Sequence, residues 1–243
     1  VKFVAEASMT RFQNKVTLIT GASRGIGRSL ASAFAREGSR VVLTARTQPE
    51  LEAAAHHIER EHNIRALPVV CDVSNEEQVK HAVETSVREF GRIDVLINNA
   101  AIGNIRPIYG LPLSGWERTL AINLTGTFLF TKHVWKPMKK QGGGAIINIS
   151  SIGGRRGYPL LSAYCASKWG QIGFSMAAAE EGKADNIRVN VVAPGKADTA
   201  FRAQIEEDKT KMLTADDCNG VCLFLASDEA RWITGQVVEV EWF

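Results

Sequence analysis

No run of about 18 consecutive apolar residues occurs in the 243-residue sequence, which argues against a membrane-spanning helix. An excess of one charge is missing too: 29 Lys and Arg against 26 Asp and Glu leave +3, spread evenly, which argues against a nucleic-acid partner. The four cysteines, Cys71, Cys165, Cys218 and Cys222, form no Cys-x-x-Cys pair, so neither a disulfide framework nor a metal cluster is indicated. A reducing, cytoplasmic location fits them best, with Cys218 and Cys222 read as packing residues on one helix face. Val1–Ser8 lack the basic flank and apolar core of a secretory signal. With Met9 following, residues 1–11 read as a disordered extension ahead of a single domain over 12–243. Internal repeats, low-complexity tracts and interdomain linkers are also absent.

What is present is alternation. Short β-branched runs at Val16–Thr20, Arg40–Thr44, Ala66–Val70, Val95–Asn98, Ala145–Ile149, Arg188–Ala193 and Val237–Val240 predict strands. Helical patterns lie between them, near 25–37, 49–61, 75–89, 114–140, 162–184 and 214–226. Near-continuous apolar strands are those of a parallel sheet covered on both faces. The expected fold is therefore α/β, a Rossmann-type doubly wound parallel sheet of seven strands, with a ligand crevice beyond the strands' carboxyl ends. The irregular stretch Lys196–Leu213 suggests a lid.

Thr20-Gly21-Ala22-Ser23-Arg24-Gly25-Ile26-Gly27 follows the first strand and opens the first helix. Glycines there allow a tight turn and close backbone approach to a pyrophosphate, with the helix N-terminus facing the anion. Gly21, Ser23, Arg24, Gly25, Ile26 and Gly27 are thus cofactor candidates. The second strand ends Thr44-Ala45-Arg46-Thr47, without the acid that would bond a ribose 2′-hydroxyl. Arg24 and Arg46, with Thr47 beside them, favour a 2′-phosphate and hence NADP(H); the alternative is two solvated surface arginines. Cys71-Asp72-Val73 suits an adenine, Asp72 accepting from its amino group; as a helix cap, Ser74 or Asn75 is better placed. Asn98-Asn99-Ala100-Ala101 puts small residues beside a ribose. Far downstream, Tyr164-Cys165-Ala166-Ser167-Lys168 places a phenol and an ammonium four residues apart, on one face of a helix. A cation there stabilises the phenolate and suits proton transfer near neutral pH.

Thr20–Gly27, Asp72, Asn98–Ala100, Asn123, Ser151, Tyr164 with Lys168, and Pro194-Gly195 with Thr199 occur in one order. On these motifs the chain resembles the short-chain dehydrogenase/reductase family in its single-domain form, over about residues 12–240. The resemblance implies a nicotinamide cofactor and a homotetramer or homodimer. It implies Tyr164 as general acid in reduction, and Lys168 bound to the nicotinamide ribose. Ser151 would hold the substrate oxygen and Asn123 a water behind Lys168, completing a catalytic tetrad. Pro194, Gly195 and Thr199 would embrace the nicotinamide. Ala101, Ala197 and the Val240-Glu241-Trp242-Phe243 end depart from the family pattern.

The likeness runs most closely to 3-oxoacyl-(acyl-carrier-protein) reductases and related carbonyl reductases. It implies an NADP(H)-dependent oxidoreductase reducing a ketone or 3-oxoacyl substrate, free or thioester-bound, to a secondary alcohol. An alcohol dehydrogenase for a sugar, polyol or steroid, and a non-catalytic nucleotide sensor, are the alternatives. Gly142 and Asp185 stand where carrier-dependent relatives tend to have basic docking residues, while Lys136, Lys139, Lys140 and Lys183 lie nearby. Arg155 and Arg156 could hold a substrate anion, contact a second subunit or face solvent. Tyr158, Leu160, Leu161, Phe201 and Ile205 suggest a partly apolar substrate pocket.

Overall fold

The structure, a computed structural model, describes residues 10–197 and 212–241. Seven strands, β1 (Val16–Thr20), β2 (Arg40–Ala45), β3 (Ala66–Val70), β4 (Val95–Asn98), β5 (Gly144–Ile149), β6 (Ile187–Pro194) and β7 (Val237–Val240), form one sheet in the order β3-β2-β1-β4-β5-β6-β7. Every pairing is parallel. The chain winds outward from β1 to β3, then returns to β4 on the other side of β1. That reversal leaves a crevice at the carboxyl ends of β1 and β4.

Successive strand residues point to opposite faces, so neighbours in one strand serve different cores. Ile19, Val41 and Ile97 pack under α1 (Gly25–Arg36), α2 (Gln48–His62) and α7 (Asn219–Ala226), against Leu30, Phe34, Leu51, Ile58 and Leu225. Leu18, Val42 and Leu96 pack on the other face, under α3 (Glu76–Phe90) and α5 (Gly126–Lys140), against Val79, Val83, Phe130 and Met138. The α6 helix (Ser162–Gly182) covers that second face beside α5, with Ala178 and Ala179 in the core.

Two local features depart from the sequence reading. The helix expected over 114–140 is α4 (Leu113–Leu120) joined to α5 by a π turn, Ala121–Thr125. The wide turn buries Asn123, whose side chain accepts from Ile102 N–H at 2.8 Å and donates to the Ile102 carbonyl at 2.9 Å. Helix periodicity carries no trace of such a bond, because the partner is a loop in another part of the chain. Secondly, ordered contacts begin before residue 12: Arg11, placed by the sequence in a disordered extension, pairs with Glu37 at 2.9 Å at the end of α1. The expected lid falls largely on 198–211, outside the described residues, as do Trp242 and Phe243. No described helix is long and apolar enough to cross a membrane.

Arg188 on β6 fastens the far side of the sheet. Its guanidinium donates to the carbonyls of Leu225, Ala226 and Ser227 at 2.6, 3.2 and 3.1 Å, satisfying the C-terminal end of α7. Arg188→Met keeps the stem but strands these acceptors, and should lower unfolding stability by about 2–3 kcal/mol in urea titration.

Candidate active site

A cavity of about 910 Å³ opens at the carboxyl ends of the strands and collects most of the sequence candidates. Its floor begins at the glycine turn. Gly21 has φ +66°, and a Cβ on Gly27 would stand 2.3 Å from the Gly21 carbonyl oxygen and 2.5 Å from Asn99 Nδ2. The turn therefore closes only without side chains at these positions. Asn99 stitches it to β4: its Nδ2 donates to the Thr20 carbonyl at 2.9 Å, and Thr20 Oγ1 accepts from the N–H groups of Asn99 and Ala100. Asn99 thus shapes the cradle through its own side chain. At the start of α1 no side chain caps the N-terminus and no acid lies in the first turn, so its N–H groups suit an anion. The residues fit a dinucleotide pyrophosphate.

Ser23, Arg24, Gly25, Ile26, Arg46, Thr47, Asp72 and Val73 line one end of the cavity. Glu50 lines it too, and Ser23 Oγ donates to Glu50 Oε2 at 3.4 Å. Ala45 does stand where an acid at the end of β2 would be, but a carboxylate from the first turn of α2, Glu50, reaches this end of the cavity. A hollow of about 370 Å³ alongside adds Arg28 and His57 to the same group. Partial burial pushes the Asp72 carboxyl up, but bonds from the Ser74 hydroxyl and N–H outweigh it, and Arg46 and Arg118 help to hold the carboxyl below its usual value. Asn75, as expected, caps α3 by accepting from Gln78 N–H. Burial and then Asp72 push the Cys71 thiol up to about 12, which keeps it protonated near neutral pH.

The opposite end gathers Ser151, Tyr164, Lys168, Pro194 and Gly195. Ser151 accepts from Gly153 N–H at 3.0 Å and donates to the Pro194 carbonyl at 3.4 Å. Ser150 also borders the cavity, but its hydroxyl donates to the Lys168 carbonyl at 3.1 Å. A Cβ on Gly154 would stand 2.9 Å from the Lys168 carbonyl oxygen, so glycine there lets α6 lie against the turn after β5. Lys168 is buried; its Nζ donates to the Ile149 carbonyl at 2.7 Å and lies 5.8 Å from the Tyr164 ring centre. Burial pulls its pKa down to about 7. Asn123 Nδ2 also donates to Ser167 Oγ at 3.0 Å, so its amide is committed to protein partners. Thr199, Phe201 and Ile205 lie outside the described residues.

Arg106, which no sequence motif singles out, also lines the cavity beside Tyr158 and Leu161. Its N–H donates at 2.9 Å to the carbonyl of Leu160, which has a left-handed backbone (φ +66°). This bond clasps the loop after β4 to the loop before α6. Arg155 and Arg156 are engaged with β7 and the residue after it: Arg155 Nε lies 3.5 Å from Glu239, and Arg156 pairs with Glu241. Lys139 pairs with Asp185 at 2.8 Å and Lys183 with Glu180 at 2.5 Å, so two of the four lysines considered for carrier docking carry surface ion pairs.

The family model for short chain dehydrogenases matches residues 15–210. The chain belongs to the short-chain dehydrogenase/reductase family. It is 36% identical to the 3-oxoacyl-[acyl-carrier-protein] reductase of Aquifex aeolicus, covering 95% of this chain and 97% of that protein. It is 38% identical to the trans-4-hydroxycyclohexanecarboxylate dehydrogenase of Sinomonas cyclohexanicum, covering 95% and 93%. A crystal structure of NAD⁺-bound xylitol dehydrogenase superposes with a TM-score of 0.90 at 32% identity, covering 96% of this chain and all of that one (100%). This family membership makes the chain an oxidoreductase of the alcohol/ketone type that uses a nicotinamide cofactor.

Lys168 gives the dehydrogenase a pH signature. Its folded pKa of about 7 lies below the ordinary 10.5, so between these values the unfolded chain holds a proton that the folded one has released. Stability should therefore rise with pH across that window. Urea denaturation at its two ends should show the rise in the wild type and its loss in Lys168→Met.

Proposed function

We propose that this dehydrogenase is an NADP(H)-dependent carbonyl reductase that turns a ketone or 3-oxoacyl substrate into a secondary alcohol. One observation carries the reading: the buried Lys168 ammonium beside the Tyr164 ring and Ser151, in a cavity that also holds the glycine cradle. When bound, a nicotinamide supplies the hydride. Gly21, Ser23, Arg24, Gly25, Ile26 and Gly27 seat its pyrophosphate, and Asp72, Val73, Asn99 and Ala100 flank the adenosine half. Pro194 and Gly195 would border the nicotinamide, a role the family resemblance also gives to Thr199. Ser151 exchanges its long bond to the Pro194 carbonyl for one to the substrate oxygen. Tyr164 delivers the proton to that oxygen, while the Lys168 ammonium favours the phenolate left behind. Asn123 fixes the π turn behind the pair.

Arg24 and Arg46 support NADP(H), as paired guanidiniums suit a phosphate dianion. Glu50 favours a second reading, an NAD(H)-dependent sugar or polyol dehydrogenase, because its carboxylate would repel that phosphate and accept from a ribose hydroxyl. Binding of the two reduced cofactors separates them. Arg46→Ala should weaken NADPH roughly 10- to 100-fold with little effect on NADH, and Glu50→Gln should tighten NADPH. NADH preferred by the wild type would sink the first reading. Turnover belongs on a panel of ketones, acetoacetyl thioesters, keto sugars and carboxylate-bearing ketones. The last group matters because Arg106 brings a cation to the substrate end, where no described Asp or Glu lines the cavity. Tyr164→Phe should cut turnover roughly 10²- to 10⁴-fold while cofactor affinity holds.

Residues 12–243 would work as one catalytic unit, in a homotetramer or homodimer. Phe128, Trp169 and Met176, exposed on α5 and α6, are the surface a second copy would cover. The four free, buried cysteines suit a reducing compartment such as the cytoplasm.

A further inference from the structure

Gln171 sits three residues after Lys168 on α6, buried, and both ends of its amide are used. Oε1 accepts from Lys168 Nζ at 3.3 Å, and Nε2 donates to Thr127 Oγ1 at 2.8 Å. The Thr127 hydroxyl donates in turn to the Asn123 carbonyl at 3.0 Å. With Lys168 as the ammonium, bond polarity orders this chain. An ammonium only donates, so Gln171 must offer it oxygen; the amide nitrogen then needs an acceptor, which Thr127 supplies. The result is an unbroken line from the ammonium on α6 to the π turn ahead of α5.

We propose that Gln171 is a positioning residue for the proton-transfer pair, holding Lys168 charged and aimed at the cavity by tying it through Thr127 to Asn123. The proposal rests on the reading of Tyr164 and Lys168 as that pair. An ammonium has three N–H bonds. Two are spent inside the protein, on the Ile149 carbonyl and Gln171, which fixes the direction of the third. A buried cation also needs acceptors to stay ionised, and Gln171 provides one of the two. β5 contributes a carbonyl to this surrounding, and α5 with the π turn contributes Thr127 and Asn123. Tyr164, on α6 itself, is a titratable side chain beside the ammonium, its ring centre 5.8 Å from Nζ. An aliphatic residue at 171 would serve packing equally well, so the amide is the feature that calls for a role.

The test follows the Lys168 titration by NMR in protein carrying ¹³C-labelled lysine, with the signal assigned through Lys168→Met. Gln171→Met keeps length and removes the acceptor; it should favour the neutral amine roughly tenfold. Gln171→Glu keeps an acceptor and adds charge, and should move the midpoint in the opposite direction. In the Met variant the oxidative limb of the kcat–pH profile should move to higher pH, with KM for the carbonyl substrate within about twofold of wild type. A role confined to joining α5 and α6 would lower Tm in both variants and move neither the titration nor the limb. Should Gln171→Met fail to fold, Thr127→Val removes the outer link and should shift the midpoint the same way by a smaller factor. An unmoved Lys168 midpoint in a folded variant overturns the proposal. The NMR readout does not need turnover, so failure of the Tyr164 assignment would appear separately, as undiminished activity in Tyr164→Phe.

Discussion

Lys168 Nζ bonded to the Ile149 carbonyl at 2.7 Å is the contact around which the carboxyl edge of the sheet is arranged. An ammonium removed from water costs several kcal/mol unless acceptors replace the solvent. The fold supplies them from different layers: a main-chain carbonyl at the end of β5 and the Gln171 amide on the same helix. Reaching them requires α6 to lie close to the turn after β5, which Gly154 allows. It also requires α5 to present Thr127, which follows directly on the π turn. Ser150 bonds the Lys168 carbonyl and Ser151 is left facing the cavity, so the placing of the two adjacent serines follows from the same close approach.

The cofactor half obeys a different constraint, the lack of room. Gly27 touches the Gly21 carbonyl and the Asn99 amide closely enough to exclude any side chain, and Asn99 in turn bonds the Thr20 and Gly21 carbonyls. The phosphate cradle and the end of β4 are thus one assembly rather than two neighbouring motifs. Both halves meet at the reversal of strand order, because only there do adjacent parallel strands send their crossovers to opposite faces.

Much of this was legible in the residues. The strands were expected to within a residue or so, since apolar runs of that length have few other uses in a covered parallel sheet. The Gly21–Gly27 turn and the Tyr164–Lys168 pair were legible because each depends on spacing within one segment. Glu50 was not, as a first-turn acid serves a helix N-terminus whether or not a cavity lies beside it. Arg155 and Arg156 were open to a substrate anion, a second subunit or solvent, and pair with Glu239 in β7 and Glu241 just after it, some 80 residues away. Arg106 and Gln171 read as an unremarked loop cation and a helix polar residue, for want of any local partner.

The sequence by itself determined the alternation of strands and helices, the glycine turn and the four side chains proposed for chemistry, because periodicity and short spacing are properties of a continuous segment. Only the tertiary structure decided which charges remain free. It opened the π turn through a bond from Asn123 to Ile102, brought Glu50 up to Ser23, and engaged Arg156 with Glu239 and Glu241. It also gave Lys168 the acceptors that let a buried ammonium exist. The physical reason is the same in each case: desolvation and pairing depend on what lies across the fold, and residues distant in sequence supply it.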